Sequence, residues 1–84
     1  MGYIVEIVSK AEKEFLRLPQ AEQDKIRNKI LSLENNPKPV GSKKLRETNY
    51  FRIRSGDYRV IYSVNDTAKI IKVLSIGNRK DIYK

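Results

Sequence analysis

The chain has 84 residues, which suits one two-layer domain over residues 1–84, and it lacks cysteine and histidine, which excludes disulfides, thiolate metal sites and imidazole-activated nucleophiles. Its formal net charge is +8, and residues 1–37 carry equal numbers of acidic and basic side chains, so the excess lies in the second half and favours a polyanionic partner. The N-terminal apolar run is too short for a signal peptide, and no run approaches the ~20 apolar residues of a membrane span, so we expect a cytoplasmic protein with no membrane partner.

The first half of the chain predicts one strand and two helices. The β-branched alternation of "GYIVEIV", residues 2–8, is typical of a strand. Ser9 and Glu12 match a capping box that would begin the first helix, and Pro19 would end this helix and open the next. The second helix has a single apolar face at positions i, i+4 and i+7, formed by Ile26, Ile30 and Leu33. We interpret the charged outer faces of this helical hairpin as solvated surface.

The second half of the chain predicts a loop and three strands. Residues 35–44 are rich in Asn, Pro, Gly and Lys and favour a loop. Three strand-like runs follow at 50–54, 57–64 and 68–76, and turn residues separate them at Ser55-Gly56 and 65–67. The element order predicts an α+β domain: an N-terminal strand, a helical hairpin and three antiparallel strands, with the helices packed on one face of a mainly antiparallel sheet.

The alternation of side chains along these strands predicts on which side of the sheet three arginines lie. Phe51 and Ile53 form the natural core side of their strand, so Arg52 and Arg54 should point away from the helices. In the next strand the alternate set Tyr58, Val60, Tyr62 and Val64 is the more apolar one, which puts Arg59 on the other side. We therefore expect three guanidinium groups on the uncovered sheet face. They repel one another unless an anion is bound there.

The segments "KKLRETNYFRIRSGDYRVIYSVND" and "VLSIGNRKDIY" resemble the RelE-like branch of the RelE/ParE toxin superfamily of bacterial and archaeal toxin–antitoxin systems. The resemblance covers nearly the whole chain. It implies a fold similar to microbial ribonucleases and a metal-independent endoribonuclease, without cofactor, that cuts messenger RNA in the ribosomal A site and so inhibits translation. It also implies a cognate acidic, RelB-like antitoxin that neutralises the toxin by wrapping it, and we expect this partner to cover the basic face.

The same resemblance assigns roles to single residues. The catalytic set that it implies is Arg52, Arg54, Arg59, Arg79 and Tyr83. The RNA-binding set is Lys43, Lys44 and Arg46, with Tyr50 as a further residue on which a base could stack. Attack by a 2′-OH on the adjacent phosphate builds a doubly charged phosphorane, and planar guanidinium donors suit its oxygens.

Two questions stay open at the level of sequence. Arginine cannot act as a general base at neutral pH, so the base could be Tyr83, Glu47, or a group of the ribosome or the RNA. The alternative function is a non-catalytic toxin of the ParE kind, which inhibits DNA gyrase by protein binding on the same fold. A metal-dependent nuclease is disfavoured, because the acids of the basic half are few and scattered: Glu47, Asp57, Asp66 and Asp81.

Overall fold

A computed structural model describes residues 2–45 and 48–78 and contains two helices beside a five-stranded sheet. In chain order the elements are β1 (Ile4–Ile7), α1 (Ser9–Leu16), α2 (Gln20–Ser32), β2 (Lys43–Lys44), β3 (Tyr50–Ser55), β4 (Tyr58–Asn65) and β5 (Ile70–Asn78). The strand order is β1-β5-β4-β3-β2. Only the β1–β5 pair is parallel, and the other three pairs are antiparallel. The predicted α+β fold with a mainly antiparallel sheet is confirmed.

The core lies between the helices and one side of the central strands, where the period-two and helical patterns predicted it. Ile53, Val60 and Tyr62 are buried on β3 and β4, as the alternation of these strands requires. The helix side of the core contains Ile26, Ile30 and Leu33, the predicted apolar face of the second helix. β5 completes the core with Ile71, Val73 and Ile76. The spacing of the last two follows from a β-bulge, which pairs Ile61 with Ser75 but Tyr62 with Val73.

The start of α1 differs from its prediction. Val8 is the N-cap residue, with extended backbone angles (φ −70°, ψ 157°), and no side chain caps this end of the helix. The capping box predicted for Ser9 and Glu12 is therefore wrong. The reason is that the Val8 N–H donates to the Val73 carbonyl (3.1 Å), which holds Val8 against β5 and makes Ser9 the first helical residue. Pro19 likewise caps α2 from the position just before its first residue.

Two turns and one short strand refine the predicted second half. β2 lies within the predicted loop and pairs with Arg52 and Phe51 of β3. The β3–β4 hairpin turns at Gly56 and Asp57, because Ser55 pairs with Tyr58, and Gly56 supplies a positive φ of 61°. Of the described helices, none has the length and apolarity needed to cross a membrane.

Candidate active site

The outward row of β3 holds three of the predicted site residues. Phe51 and Ile53 pack in or against the core, so the alternating residues Tyr50, Arg52 and Arg54 point to the other side of the sheet. Tyr50 is 44% exposed, Arg54 is exposed and Arg52 is half-buried. One strand thus presents an aromatic ring followed by two guanidinium groups along a single line.

Arg59 joins this row from β4. It lies directly opposite Arg54 in the antiparallel β3–β4 ladder, and directly paired residues project to the same side of a sheet. On its other flank it pairs with Gly77 of β5, which has no side chain to occupy the space beside the guanidinium. The sequence therefore predicted the correct side for Arg59 relative to Arg54.

The burial of Arg59 departs from the prediction of an uncovered guanidinium. Its exposed fraction is only 3%, whereas Arg54 directly beside it is exposed. Strand alternation reports the side of a sheet on which a residue lies but not how deeply it sits. The central place of β4 does not by itself account for this depth, since Ile61, two residues further on the same strand and side, is only half-buried. The burial of Arg59 holds its charged end in a more restricted position than that of a surface arginine.

The short strand β2 places the two lysines of the predicted RNA-binding set on opposite sides. Lys43 pairs with Arg52 and so lies on the arginine side, while Lys44 pairs with Phe51 and lies on the core side. Both lysines are exposed. The arginine side of β2, β3 and β4 thus gathers five of the predicted site residues, which we call the arginine face: Lys43, Tyr50, Arg52, Arg54 and Arg59.

The charges of the arginine face are those of an anion-binding surface. The ion pairs found in residues 2–45 and 48–78 lie on the helices or at the other end of the sheet: Lys10–Glu14, Lys25–Glu22, Arg27–Asp24 and Lys38–Asp66. No carboxylate within those ranges approaches Arg54 or Lys43 to ion-pairing distance. The same ranges contain no cluster of three or more His, Cys, Asp or Glu side chains able to hold a metal ion.

Some predicted site residues lie outside the described part of the chain. These are Arg46, Arg79 and Tyr83, together with Glu47, one of the residues considered as a general base. Sequence reasoning also missed a feature next to the site. A cleft of about 510 Å³ runs between α2 and the end of β3, and Lys25 and Lys29 line it together with Arg54. The only sequence signal for this cleft is the i, i+4 spacing of its two lysines.

Known proteins with similar sequences and structures agree on the identity of the fold. The sequence model of the ParE toxin of the parDE type II toxin–antitoxin system matches residues 5–83. The chain is 26% identical to the mRNA interferase toxin RelE of Escherichia coli K12 over 83 residues, which cover 95% of this chain and 86% of that protein.

Two solved structures extend the comparison. A chain of the archaeal RelE–RelB complex of Pyrococcus horikoshii OT3 is 38% identical with a TM-score of 0.85, and the match covers 94% of this chain and 97% of that one. A chain of the intact E. coli RelBE complex is 26% identical with a TM-score of 0.79, covering 90% and 95%. Because the family match spans nearly the whole chain, the curated E. coli relative is a RelE toxin and the similar structures are RelE–RelB complexes, the protein belongs to the ParE toxin family of type II toxin–antitoxin systems, as a RelE-like member of the RelE/ParE superfamily.

Proposed function

We propose that the protein is an endoribonuclease that cleaves messenger RNA on the ribosome, and that it acts as the toxin of a toxin–antitoxin pair in the cytoplasm. The observation that carries this proposal is the arginine face, in which Arg52, Arg54, Arg59 and Lys43 lie on one side of three adjacent strands. The name of the E. coli K12 relative, an mRNA interferase toxin, supports the same activity.

The chemistry that suits this face is transesterification of RNA. The 2′-oxygen of one nucleotide attacks the adjacent phosphorus, the bond from phosphorus to the 5′-oxygen of the next nucleotide breaks, and a 2′,3′-cyclic phosphate and a 5′-hydroxyl result. The attacked phosphate passes through a phosphorane with an additional negative charge. Guanidinium groups whose positions are fixed before the reaction stabilise that charge more than they stabilise the bound substrate. Arg59, buried on the central strand, fits such a fixed role, and the exposed Arg54 suits substrate capture.

Proton transfer is the part of the reaction that the arginines do not supply. A guanidinium group keeps its proton at neutral pH and cannot act as a general base. Tyr83, Glu47 and groups of the ribosome or the RNA therefore stay as the candidates for this role. General acid–base catalysis is typically worth about 10²–10⁴ in rate, so the charge stabilisation by the arginines is expected to be necessary even where that help is small.

An antitoxin is the expected protein partner. The similar chains from Pyrococcus horikoshii and E. coli are parts of RelE–RelB and RelBE complexes. Besides the arginine face, this protein exposes Ile7 and Leu31 beside the β1 edge. They line a mainly apolar hollow of about 190 Å³ together with Val5 and Phe15, and Arg27 and Glu34 stand at the same hollow. We propose that one wrapping antitoxin covers this hollow and also supplies acidic groups to the arginine face.

The decisive experiment is cleavage of a translated message by purified toxin, read by primer extension. The expected products end in a 5′-hydroxyl, and a 2′-deoxy nucleotide placed before the cut site should block cleavage because it removes the nucleophile. Arg59→Met should abolish cleavage, and it keeps most of the side-chain volume so that a buried site is not emptied. Lys13→Gln, an exposed change on α1, is the control variant and should cleave RNA like the parent.

The second candidate function is inhibition of DNA gyrase by protein binding, which the ParE family match favours. A supercoiling assay with the same preparations separates the two. Loss of supercoiling at toxin concentrations that leave translated messages intact, unaffected by Arg59→Met, would replace the ribonuclease proposal.

A further inference from the structure

The cleft between α2 and the end of β3 continues the arginine face around the edge of the sheet. β2 pairs with β3 only at Phe51 and Arg52, and past Arg52 the described residues provide no further strand on that side. The cleft begins where this pairing ends. Its lining is formed by Lys25, Asn28, Lys29 and Ser32 of α2 with Arg54 and Ser55 of β3, together with the hairpin turn. Arg54 therefore belongs to both surfaces.

The cleft also extends along the loop that follows α2. A second hollow of about 290 Å³ shares Lys29, Ser32 and Arg54 with it, and its other wall is the loop segment 39–41. The two hollows form one groove, which we call the α2 groove. Lys25 and Lys29 stand one helical turn apart in it, about 6 Å along the helix axis. Two cations at this spacing, followed by Arg54, suit a chain of successive phosphates.

The charged residues that line the α2 groove are basic, and the Glu22 carboxylate stands at its rim beside Gly56. The lining contains three cations and no acidic residue. Glu22 forms an ion pair with Lys25, but the distance is 3.8 Å and the Lys25 side chain is 67% exposed, so this pair neutralises little. Among the residues described by the structure, no carboxylate lies within ion-pairing distance of Lys29.

The composition of the main cleft favours nucleic acid over protein. The residues that line the 510 Å³ hollow are lysine, arginine, asparagine, serine and glycine, so its apolar surface comes from aliphatic stems and backbone, and apolar side chains enter only in the smaller hollow, at Pro39, Val40 and Ile53. Protein–protein interfaces depend on buried apolar and aromatic anchors and are poor in lysine, whereas protein–nucleic acid interfaces are polar and strongly positive. The absence of an aromatic side chain also argues against base stacking at this place, so the phosphodiester backbone is the part of the nucleic acid that fits.

We propose that the α2 groove binds the backbone of the RNA strand that is cleaved, on the segment flanking the scissile phosphate, with Lys25 and Lys29 as phosphate contacts and Arg54 as the link to the arginine face. This inference rests on the proposed function, since it assigns a path to the same substrate. It extends the basic surface from the second half of the chain to α2.

The test is the salt dependence of binding to an uncleavable RNA. The probe is a single-stranded, fully 2′-O-methylated oligonucleotide of about twelve nucleotides, long enough to pass from the arginine face into the groove. In the double variant Lys25→Gln/Lys29→Gln, the slope of log K against log salt should become shallower by about 1.4, since each phosphate contact to a single strand contributes about 0.7. At 0.1 M salt this corresponds to binding weaker by about 25-fold. A trinucleotide that spans only the arginine face should bind equally to both proteins.

The chain offers a closely matched control in Lys10→Gln/Lys13→Gln on α1. In each pair one lysine forms a single-turn ion pair, Lys10 with Glu14 at 3.7 Å and Lys25 with Glu22 at 3.8 Å, and the other lies in the last turn of its helix. The two double variants therefore lose the same charge in similar settings. The control should keep the parent slope.

Each other outcome overturns the inference in a recognisable way. Equal loss of slope in both double variants would mean that overall charge, not the groove, binds RNA. An unchanged slope in Lys25→Gln/Lys29→Gln, with RNA cleavage intact in the parent, would show that the groove does not bind RNA. The proposed ribonuclease function would then be unaffected. An unchanged slope together with loss of antitoxin binding would assign the groove to the protein partner. A parent protein that neither binds nor cleaves RNA would remove both proposals.

Discussion

Arg54 lies directly opposite Arg59 in the β3–β4 ladder, so their two side chains project to the same side of the sheet. Like charges in this arrangement destabilise a sheet by about 0.2–1 kcal/mol. The pair is thus a cost to folding that an RNA phosphate between the two groups would offset. Arg54→Gln should accordingly raise the free energy of unfolding by several tenths of a kcal/mol, most clearly at low salt, while it lowers RNA cleavage.

Urea denaturation of the two proteins at low and high ionic strength measures this effect. Lys13→Gln on α1 removes the same charge far from the pair and controls for the change in net charge. If both variants stabilise the protein equally, the gain comes from total charge. If Arg54→Gln destabilises the protein, the Arg54 guanidinium makes contacts in the folded state that outweigh its repulsion from Arg59.

A second prediction concerns Glu14, which holds the exposed edge of β5. β1 pairs with β5 only as far as Val73, and beyond it the Ile76 N–H donates to Glu14 Oε1 (2.9 Å), as does the Ser75 hydroxyl (3.2 Å). Glu14→Ala would leave a part-buried N–H without its acceptor, which costs about 1–3 kcal/mol. Glu14→Gln keeps an acceptor oxygen and should cost less than half as much.

Hydrogen exchange of the Ile76 amide gives a local readout for this prediction. Its protection should fall in Glu14→Ala more than the protection of the central β4 amides, because the lost contact is at the edge. Glu12→Ala, an exposed residue of the same helix, should change the free energy of unfolding by about 0.5 kcal/mol or less. Equal losses in the two alanine variants would contradict a specific role for Glu14.

The comparison of sequence and structure shows which physical signals are local. Alternation of apolar and polar residues along the strands correctly predicted that Ile53, Val60 and Tyr62 lie in the core. The 3.6-residue repeat of the helix did the same for Ile26 and Ile30, because in both cases the pattern within one element decides which of its sides is apolar. The family resemblance is confirmed by the ParE toxin match over residues 5–83. Both results needed no knowledge of how the elements pack together.

The remaining features arise from tertiary packing. Alternation within β4 cannot reveal the burial of Arg59, since Ile61 on the same side of the same strand is only half-buried. β2 consists of two lysines without apolar alternation, and it is a strand because its backbone pairs with β3. From the sequence alone, Lys25 and Lys29 are interpreted as solvated helix charges. In the folded protein they lie beside Arg54, which is 25 residues further along the chain than Lys29. The catalytic and RNA-binding roles of these residues stay predictions.

A third prediction concerns the hydroxyl of Tyr62, which ties the loop after α2 to the sheet. Tyr62 is fully buried, its ring stacks on Phe51 with centroids 5.8 Å apart, and its hydroxyl donates to the Pro37 carbonyl (2.8 Å). Tyr62→Phe should cost about 1 kcal/mol, a fall in Tm of about 4–8 °C for a domain of this size. Tyr58→Phe is the matched control, since the Tyr58 hydroxyl makes no hydrogen bond to the residues that the structure describes and its loss should leave Tm nearly unchanged. Equal falls in Tm would argue against the Pro37 contact.

The last prediction is a pH dependence from the contact between Tyr3 and Asp66. The Tyr3 hydroxyl donates to Asp66 Oδ1 (2.6 Å), and Lys38 Nζ lies 3.4 Å from Oδ2. The hydrogen bond from Tyr3, aided by the charge of Lys38, lowers the pKa of the Asp66 carboxyl. The same hydrogen bond raises the pKa of Tyr3.

These two shifts act at opposite ends of the pH range. A lowered pKa in the folded state means that Asp66 contributes stability above its unfolded pKa of about 3.9, and that this contribution is lost as pH falls through the folded value. The raised pKa of Tyr3 contributes stability below about pH 10 that is lost as pH rises through its folded value. Asp66→Asn and Tyr3→Phe should therefore both lower the free energy of unfolding at neutral pH and lose less of it on acidification than the parent. Urea denaturation from about pH 2.5 to 7 checks this, and a parent-like acid limb in both variants would show that the hydrogen bond does not contribute to folding.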